Sequence, residues 1–338
     1  MLRTLIVGLG RAGLGLHVPV LLKARARAPG TFADEPVVAV DPRAAPAGPP
    51  RQDLVLAGSL PRAWELLDPA HTVVHVCTPP SVRAEVLREV ALLGFSKVVV
   101  EKPLATDRDA LRSVLAVVRE HGLSLSVVAP WLHSTLTARL VAMVEGGQLG
   151  SVRTVTVAQH KPRFRRSLDN GGHTSALDVE VPHSLGVLLR LLGDAEVRAA
   201  SCTDLSLGAS VVPRMGGARL TLQHHGGARS EIVSDLTAPV RERRITLDMT
   251  GGTAIGHYPV GQDDDFAQLE KVTAGRRVRE VFEDDALTSF MVSAYRDYAS
   301  GPGGDDPWIH ARTAELLDEA KQLTVSNTGR GEPLTHVT

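Results

Sequence analysis

Three glycines stand in the order Gly8-Leu9-Gly10-Arg11-Ala12-Gly13, directly after the apolar run Leu5-Ile6-Val7. An apolar strand that enters G-x-G-x-x-G and continues as a helix has the chemistry of a pyrophosphate cradle. Gly8 permits the tight turn off the strand. Gly10 lets backbone approach a phosphate closely, and Gly13 lets the helix pack on the sheet. Unpaired N–H groups at the start of that helix face the anion, and the helix dipole favours it. The residues from Gly8 to Gly13 are therefore the first dinucleotide-binding candidates. Asp41 ends the next apolar run, Val37-Val38-Ala39-Val40. A carboxylate there accepts hydrogen bonds from the adenosine ribose hydroxyls and favours NAD. Arg43, two residues on, could instead hold a 2′-phosphate, so NADP stays open. Asp41 lies further from Gly13 than the ~20 residues usual in this fingerprint. The excess reads as an inserted loop at 26–36.

Such groups need a sheet that ends beneath them. The first half supplies it as alternating strands and helices. Strands are predicted at 2–7, 37–41, 54–58, 72–78, 97–101 and 123–129. Helices fall between them at 13–27, 60–67, 82–94 and 107–120, with Ser59 and Asp107 as N-caps. This βαβ order predicts a doubly wound parallel sheet. Beyond residue 130 the pattern changes to period-two alternation at 152–157, 218–223, 230–236, 244–249 and 278–282. The pairs Gly216-Gly217, Gly226-Gly227 and Gly251-Gly252 read as the turns between hairpin strands. Helices are expected at 135–145, 182–192, 287–298 and 308–323. The fold class is thus an α/β Rossmann domain over 1–129, then an α+β domain over 130–338. The second domain has an open, mainly antiparallel sheet, and its last helix is expected to pack back on the first domain.

Further segments complete a pattern. Thr78-Pro79-Pro80 ends the fourth strand, and Glu101-Lys102-Pro103-Leu104 ends the fifth. Gly171-Gly172, the run from Asp178 to His183, and Leu188-Leu189-Arg190-Leu191-Leu192-Gly193 follow. With His17 and the closing stretch 308–334, the chain resembles the Gfo/Idh/MocA family of glucose–fructose oxidoreductases and inositol dehydrogenases over nearly its whole length. The resemblance implies a Rossmann domain that binds NAD(P) and an open-faced sheet that carries the substrate. It implies that Thr78, Pro79, Glu101 and Lys102 line the cofactor, and that the Lys102–Pro103 peptide is often cis. It makes Lys102 a catalytic lysine near the nicotinamide and His183 its acid–base partner. An ammonium at a strand end can hydrogen-bond a hydroxyl or carbonyl oxygen, and partial desolvation eases its proton transfer. A histidine titrates near neutrality.

The chain departs from that family in three places. The aspartate expected four residues before the histidine is Val179, so Asp178, through a one-residue bulge, or alternatively Glu180 could orient His183. Arg83 stands where a histidine is usual after Thr78-Pro79. Ala129-Pro130-Trp131-Leu132-His133 replaces an Asn and Arg pair, which makes Trp131 and His133 candidates for an altered substrate pocket. Core packing is the alternative for Trp131, and Lys161 could also reach the pocket. The reaction implied is hydride transfer between nicotinamide C4 and a carbinol or ketone carbon. The implied substrate is a sugar, amino sugar, nucleotide sugar or cyclitol. A glycosidase-like enzyme using NAD transiently and a non-catalytic dinucleotide-binding regulator are the alternatives.

Composition excludes other classes. The 338 residues carry a net charge of −1 with 22% charged side chains, so nothing favours nucleic acid or an anionic membrane. The Arg-rich stretches 163–166 and 241–244 are too short for a polyanion track. No apolar run is long enough to span a bilayer. The opening strand leaves no room for a signal peptide, and the two cysteines, Cys77 and Cys202, make no disulfide framework. A cytoplasmic location is expected. The 13 histidines are dispersed without metal-ligand spacing, so no metal is expected. The excess of Arg over Lys and the many alanines suit a GC-rich gene and a role in specialised metabolism. A homodimer or homotetramer is expected, since an open sheet face readily becomes an interface.

Overall fold

The computed structural model describes residues 1–42, 52–169, 173–261, 264–301, 304 and 307–327. Arg43, Gly171-Gly172 and the end of the 308–334 pattern lie outside the described residues. In chain order the elements are β1 Arg3–Val7, α1 Val18–Arg27, β2 Val37–Val40, β3 Leu54–Ala57, α2 Leu60–Trp64, β4 Thr72–Val76, α3 Arg83–Leu92, β5 Lys97–Glu101, α4 Arg108–Glu120 and β6 Ser124–Val128. There follow α5 Thr135–Glu145, β7 Val152–His160, α6 Phe164–Leu168, α7 Val181–Leu192, β8 Ala195–Leu207, β9 Ser210–His224 and β10 Arg229–Asp235. The chain continues as β11 Glu242–Met249, β12 Gly252–His257, β13 Phe266–Thr273, β14 Arg276–Glu283, α8 Ala286–Ser300 and α9 Trp308–Asn327.

The chain divides into two compact units. The first comprises 1–134 and 285–314, the second 135–284 and 315–338. Residues 130–134 and 285–314 thus group with the Rossmann sheet, where the sequence division at 129/130 assigns them to the second domain.

The first unit holds a six-stranded sheet ordered β3-β2-β1-β4-β5-β6, every neighbouring pair parallel. Its central strands are buried and mostly apolar because helices cover both faces, with Thr4, Thr72 and His75 the buried polar exceptions. On one face, Leu87 and Val90 of α3 and Leu111, Val114 and Val117 of α4 pack on Leu5, Val74, Val98 and Val100. On the other, Val18, Leu21 and Ala24 of α1 join Phe290, Met291 and Tyr295 of α8 over Ile6, Ala39, Val73 and Val99. Each fully buried large apolar side chain contributes about 1.5–3 kcal/mol. Ser59 and Asp107 cap α2 and α4 as expected, accepting from the amides of Arg62 at 3.3 Å and Ala110 at 2.8 Å. The strand order reverses between β1 and β4, and ligands of such sheets bind at the strand ends beside that reversal.

The second unit holds an eight-stranded sheet ordered β14-β13-β12-β11-β7-β10-β9-β8. Among its described strands only β7 and β10 run parallel. Burial alternates along β10, as it must when one face is covered and one is wet. Three strands escape the period-two reading: β8, β12 and β13. One turn assignment is corrected. Gly216 and Gly217 lie inside β9, where a Cβ would stand 2.3 Å from the Asp204 carbonyl oxygen and 2.8 Å from that of Ser234. They are strand-interior glycines that permit close backbone approach. Gly226-Gly227 and Gly251 do fall at turns, and Gly252 opens β12. No helix among the described residues is long and apolar enough to cross a membrane.

Candidate active site

The glycine turn is built as its sequence requires. Gly8 has φ +99°, a left-handed conformation, and its N–H donates to Val40 O at 2.8 Å. A Cβ on Gly13 would stand 2.0 Å from Gly8 O, so the chain can enter the following helix only with glycine there. Residues 13–17 form one wide helical turn that continues into α1. Asp41 closes the cradle from β2: its Oδ2 accepts the Leu9 N–H at 2.6 Å. The carboxylate thus stands against the glycine turn, where the ribose hydroxyls of a bound dinucleotide are expected. Across the strand reversal, the Cys77 N–H donates to Val7 O at 2.8 Å, which brings Thr78 beside the turn. Thr78 Oγ1 is buried without a hydrogen-bond partner. A turn in which no Cβ fits at Gly13, next to an orphaned buried hydroxyl, fits a dinucleotide.

Lys102 follows β5 at the same sheet edge, half-buried, and the Lys102–Pro103 peptide is cis. The chain is held on both sides of it. Glu101 Oε1 lies 2.8 Å from His17 Nε2. Burial alone would raise the Glu101 carboxyl, but the His17 hydrogen bond and charge, with Lys102 and Arg83 nearby, hold it below its ordinary range. Arg83, fully buried, donates to the carbonyls of Pro103, Leu104 (3.1 Å) and Thr78 (3.3 Å). Burial brings its guanidinium down to about 10 against the pull of Glu101 and Cys77. Arg83 enters the sequence reading only as a missing histidine, yet it ties the turn after β4 to the loop after β5. Its signal was an arginine at the start of a helix that packs on buried strands.

Trp131 is 7% exposed, in the short turn after β6. His133 packs edge-on against Phe290 of α8, with ring centroids 5.0 Å apart. Burial lowers its pKa despite nearby Asp297. Both belong to the first unit.

The second unit carries the other candidates. His183 sits in the first turn of α7, partly exposed, its N–H donating to Glu180 O at 3.1 Å. Each of the two carboxylates considered for orienting it pairs with a lysine. Asp178 Oδ2 accepts from Thr174 N, Thr174 Oγ1 and Ser175 N at 3.0, 2.9 and 3.2 Å. Its Oδ1 is 2.5 Å from Lys321 Nζ on α9. Burial raises the Asp178 carboxyl, but Lys321 and Thr174 hold it below its ordinary range. Asp178 therefore ties a turn to the last helix. Glu180 pairs with Lys161 and lies near Arg243, whose guanidinium burial pushes down. Lys161 and Glu180, from the end of β7 and the start of α7, thus form one ion pair; their spacing in the sequence gives no hint of it. Arg243 donates to Pro259 O at 2.7 Å. Among the described residues, no cluster of three His, Cys, Asp or Glu side chains is placed to hold a metal.

Known proteins agree with this architecture. Residues 2–129 match the Gfo/Idh/MocA model, described as an oxidoreductase family with an NAD-binding Rossmann fold. A dTDP-3,4-didehydro-2,6-dideoxy-alpha-D-glucose 3-reductase from Streptomyces violaceoruber is 26% identical over 255 residues, 69% of this chain and 72% of the relative. The uncharacterized oxidoreductase YrbE of Bacillus subtilis is 27% identical over 97 residues, 29% of this chain and 28% of its own. The crystal structure of KijD10, a 3-ketoreductase from Actinomadura kijaniata with NADP and TDP-benzene, has the same fold. Its TM-score is 0.77 at 19% identity, covering 96% of this chain and 98% of that one.

Proposed function

We propose, from the premise that the N-terminal domain belongs to the Gfo/Idh/MocA oxidoreductase family, that this NAD(P)-dependent oxidoreductase reduces a ketone carbon of a nucleotide-linked deoxysugar. The observation that carries the reading is the joint placement of Lys102 and Thr78 at the strand ends beside the Gly8–Gly13 cradle. The substrate class is supported by the Streptomyces reductase, which acts on a dTDP-linked sugar and is similar over most of both chains. Gly8, Leu9, Gly10, Arg11, Ala12 and Gly13 would hold the pyrophosphate, Asp41 the ribose, and Thr78, Pro79 and Glu101 the nicotinamide end. The bound dinucleotide supplies the hydride.

The chain's own groups handle the oxygen. As the ketone carbon is reduced, negative charge develops on its oxygen. The Lys102 ammonium hydrogen-bonds that oxygen and delivers the proton, which leaves an alcohol and a neutral amine. In the second unit, His183 is the second proton-handling group of this reading. Its partial exposure and its place at the start of α7 suit exchange with solvent.

The test is a screen of the purified chain for NADH and NADPH oxidation. The panel holds dTDP-linked ketosugars, free ketosugars and inosose. Turnover is expected with a dTDP-linked ketosugar. Turnover confined to inosose or free sugars would replace the substrate class while leaving the hydride chemistry. No net turnover, with retained dinucleotide, would overturn the reductase reading.

A further inference from the structure

Behind Lys102 a row of polar side chains runs inward from Glu101, and beyond Glu101 its members have no part in the proposed reaction. Glu101 Oε1 is 2.8 Å from His17 Nε2, and His17 Nδ1 is 2.7 Å from His75 Nδ1. His75 Nε2 is 3.0 Å from the Tyr295 hydroxyl, which is 2.5 Å from Thr4 Oγ1. The five residues come from the end of β5, the turn leading into α1, β4, α8 and β1. His17, His75 and Tyr295 are fully buried. Burying so many polar groups is costly unless every one is satisfied.

Counting hydrogens leaves two arrangements. A ring nitrogen that faces a carboxylate must carry a proton, so His17 Nε2 is a donor. If His17 Nδ1 also carries one, His17 is an imidazolium. His75 then accepts at Nδ1 and donates from Nε2 to Tyr295, which donates to Thr4. If His17 Nδ1 is bare, each of those bonds runs the other way. One proton on His17 thus sets the direction of the whole row. Burial works against the imidazolium, but Cys77 and Glu101 beside it outweigh burial and carry His17 up to about 10. Burial and the charge on His17 keep His75 neutral. The first effect selects the imidazolium arrangement, and a neutral His75 is common to both. The other groups facing the row are Lys102 and Arg83 near Glu101, and Arg25 and Tyr298 near Tyr295.

On the other side of Lys102 stands Arg83, buried, on the carbonyls of Pro103 and Leu104. We propose that His17 and Arg83 are positioning residues for Lys102: His17 pins the carboxylate of the residue before it, and Arg83 pins the carbonyls of the two residues after it. The ammonium is thereby presented to the reacting oxygen from a backbone fixed at both ends. The inference rests on the reading of Lys102 as proton donor, and its test separates the two.

The full chain is compared with His17→Leu, His17→Gln, Glu101→Gln, Arg83→Lys and Lys102→Ala on the ketosugar nucleotide that turns over. Dinucleotide affinity is read by fluorescence, and imidazole protonation by ¹⁵N NMR of labelled histidines. His17→Leu and Arg83→Lys should lower kcat by about 10–100-fold, the range for outer-shell partners that orient a ligand. KM and dinucleotide affinity should change far less than kcat, since the Gly8–Gly13 backbone and Asp41 are left unaltered, and that split follows from lost proton-donor placement. His17→Gln, which keeps a donor toward Glu101, should recover part of the loss. In the unaltered protein His17 should show both nitrogens protonated above neutral pH. If His17→Leu does not fold, Glu101→Gln decides. It keeps the shape and an acceptor but removes the counter-charge, so His17 should lose its proton at lower pH and the pH profile of kcat should move with it. Folded His17→Leu and Arg83→Lys with unaltered kcat and pH profile, beside an inactive Lys102→Ala, would overturn this inference alone. Full activity in Lys102→Ala would overturn the assignment of Lys102 and this inference with it.

Discussion

At the scale of single residues, the glycine turn, Asp41 and Lys102 were legible because each follows an apolar strand at a fixed offset. Lys102→Ala should leave dinucleotide affinity nearly unchanged and lower turnover by about 10²–10⁴-fold, the usual contribution of general acid–base catalysis. If His183 serves the same proton transfer, His183→Ala should fall as far, and the double variant should be barely worse than either single one. Additive losses would separate His183 from Lys102. Asp41 carries the cofactor prediction. A carboxylate already held against the glycine turn by the Leu9 N–H repels a 2′-phosphate, so NADH should bind more tightly than NADPH. Asp41→Ser should narrow the gap. Tighter NADPH binding in titrations of the unaltered chain would mean that Arg43 governs the choice. The orienting carboxylate was not legible. Sequence offset offered Asp178, with Glu180 as the alternative, and in the structure the first pairs with Lys321 and the second with Lys161.

At the scale of elements, the parallel strands were readable because burial on both faces leaves mostly apolar runs. The helices between them were bounded by capping residues such as Ser59 and Asp107. β8, β12 and β13 were not, since small and charged residues break their period-two alternation. The glycine pair at 216–217 misled for a related reason. Glycine marks a turn when the chain must reverse and a strand interior when another backbone must come close, and only the neighbouring strand tells which. The turn from β1 into α1 gives the prediction at this scale. Gly13→Ala would put a Cβ on the Gly8 carbonyl, a contact backbone must move to relieve. Dinucleotide binding, followed by fluorescence, should be lost or weakened by more than about tenfold, as a shift of roughly 1.4 kcal/mol gives. Gly15→Ala, where a Cβ meets nothing within 4 Å, should bind normally. Equal binding by both variants would refute the cradle.

At the scale of the whole molecule, buried titrating groups shape stability against pH. His17 is raised to about 10 on folding, so its contribution is complete below its unfolded value of about 6.5 and is lost as pH rises toward 10. His75 is depressed, so its contribution is present above about 6.5 and is lost as pH falls. Glu101 and Asp178 are also depressed and lose theirs at still lower pH. Denaturant midpoints should therefore peak near neutrality and decline on both sides, and His17→Leu should flatten the alkaline decline. A midpoint that climbs steadily from neutral pH to pH 9 would show that His17 is not the buried imidazolium. Sequence alone determined the order of strands and helices, the change from parallel to antiparallel character and the dinucleotide turn, because side-chain periodicity and turn chemistry are local. Only tertiary structure decided that Glu101, His17, His75 and Tyr295 form one row, that Arg83 ties two loops, and that Asp178 belongs to Lys321. A buried polar group needs a partner, but which partner it meets depends on strand register and helix packing between segments far apart in the chain, and those leave no mark on the residues nearby.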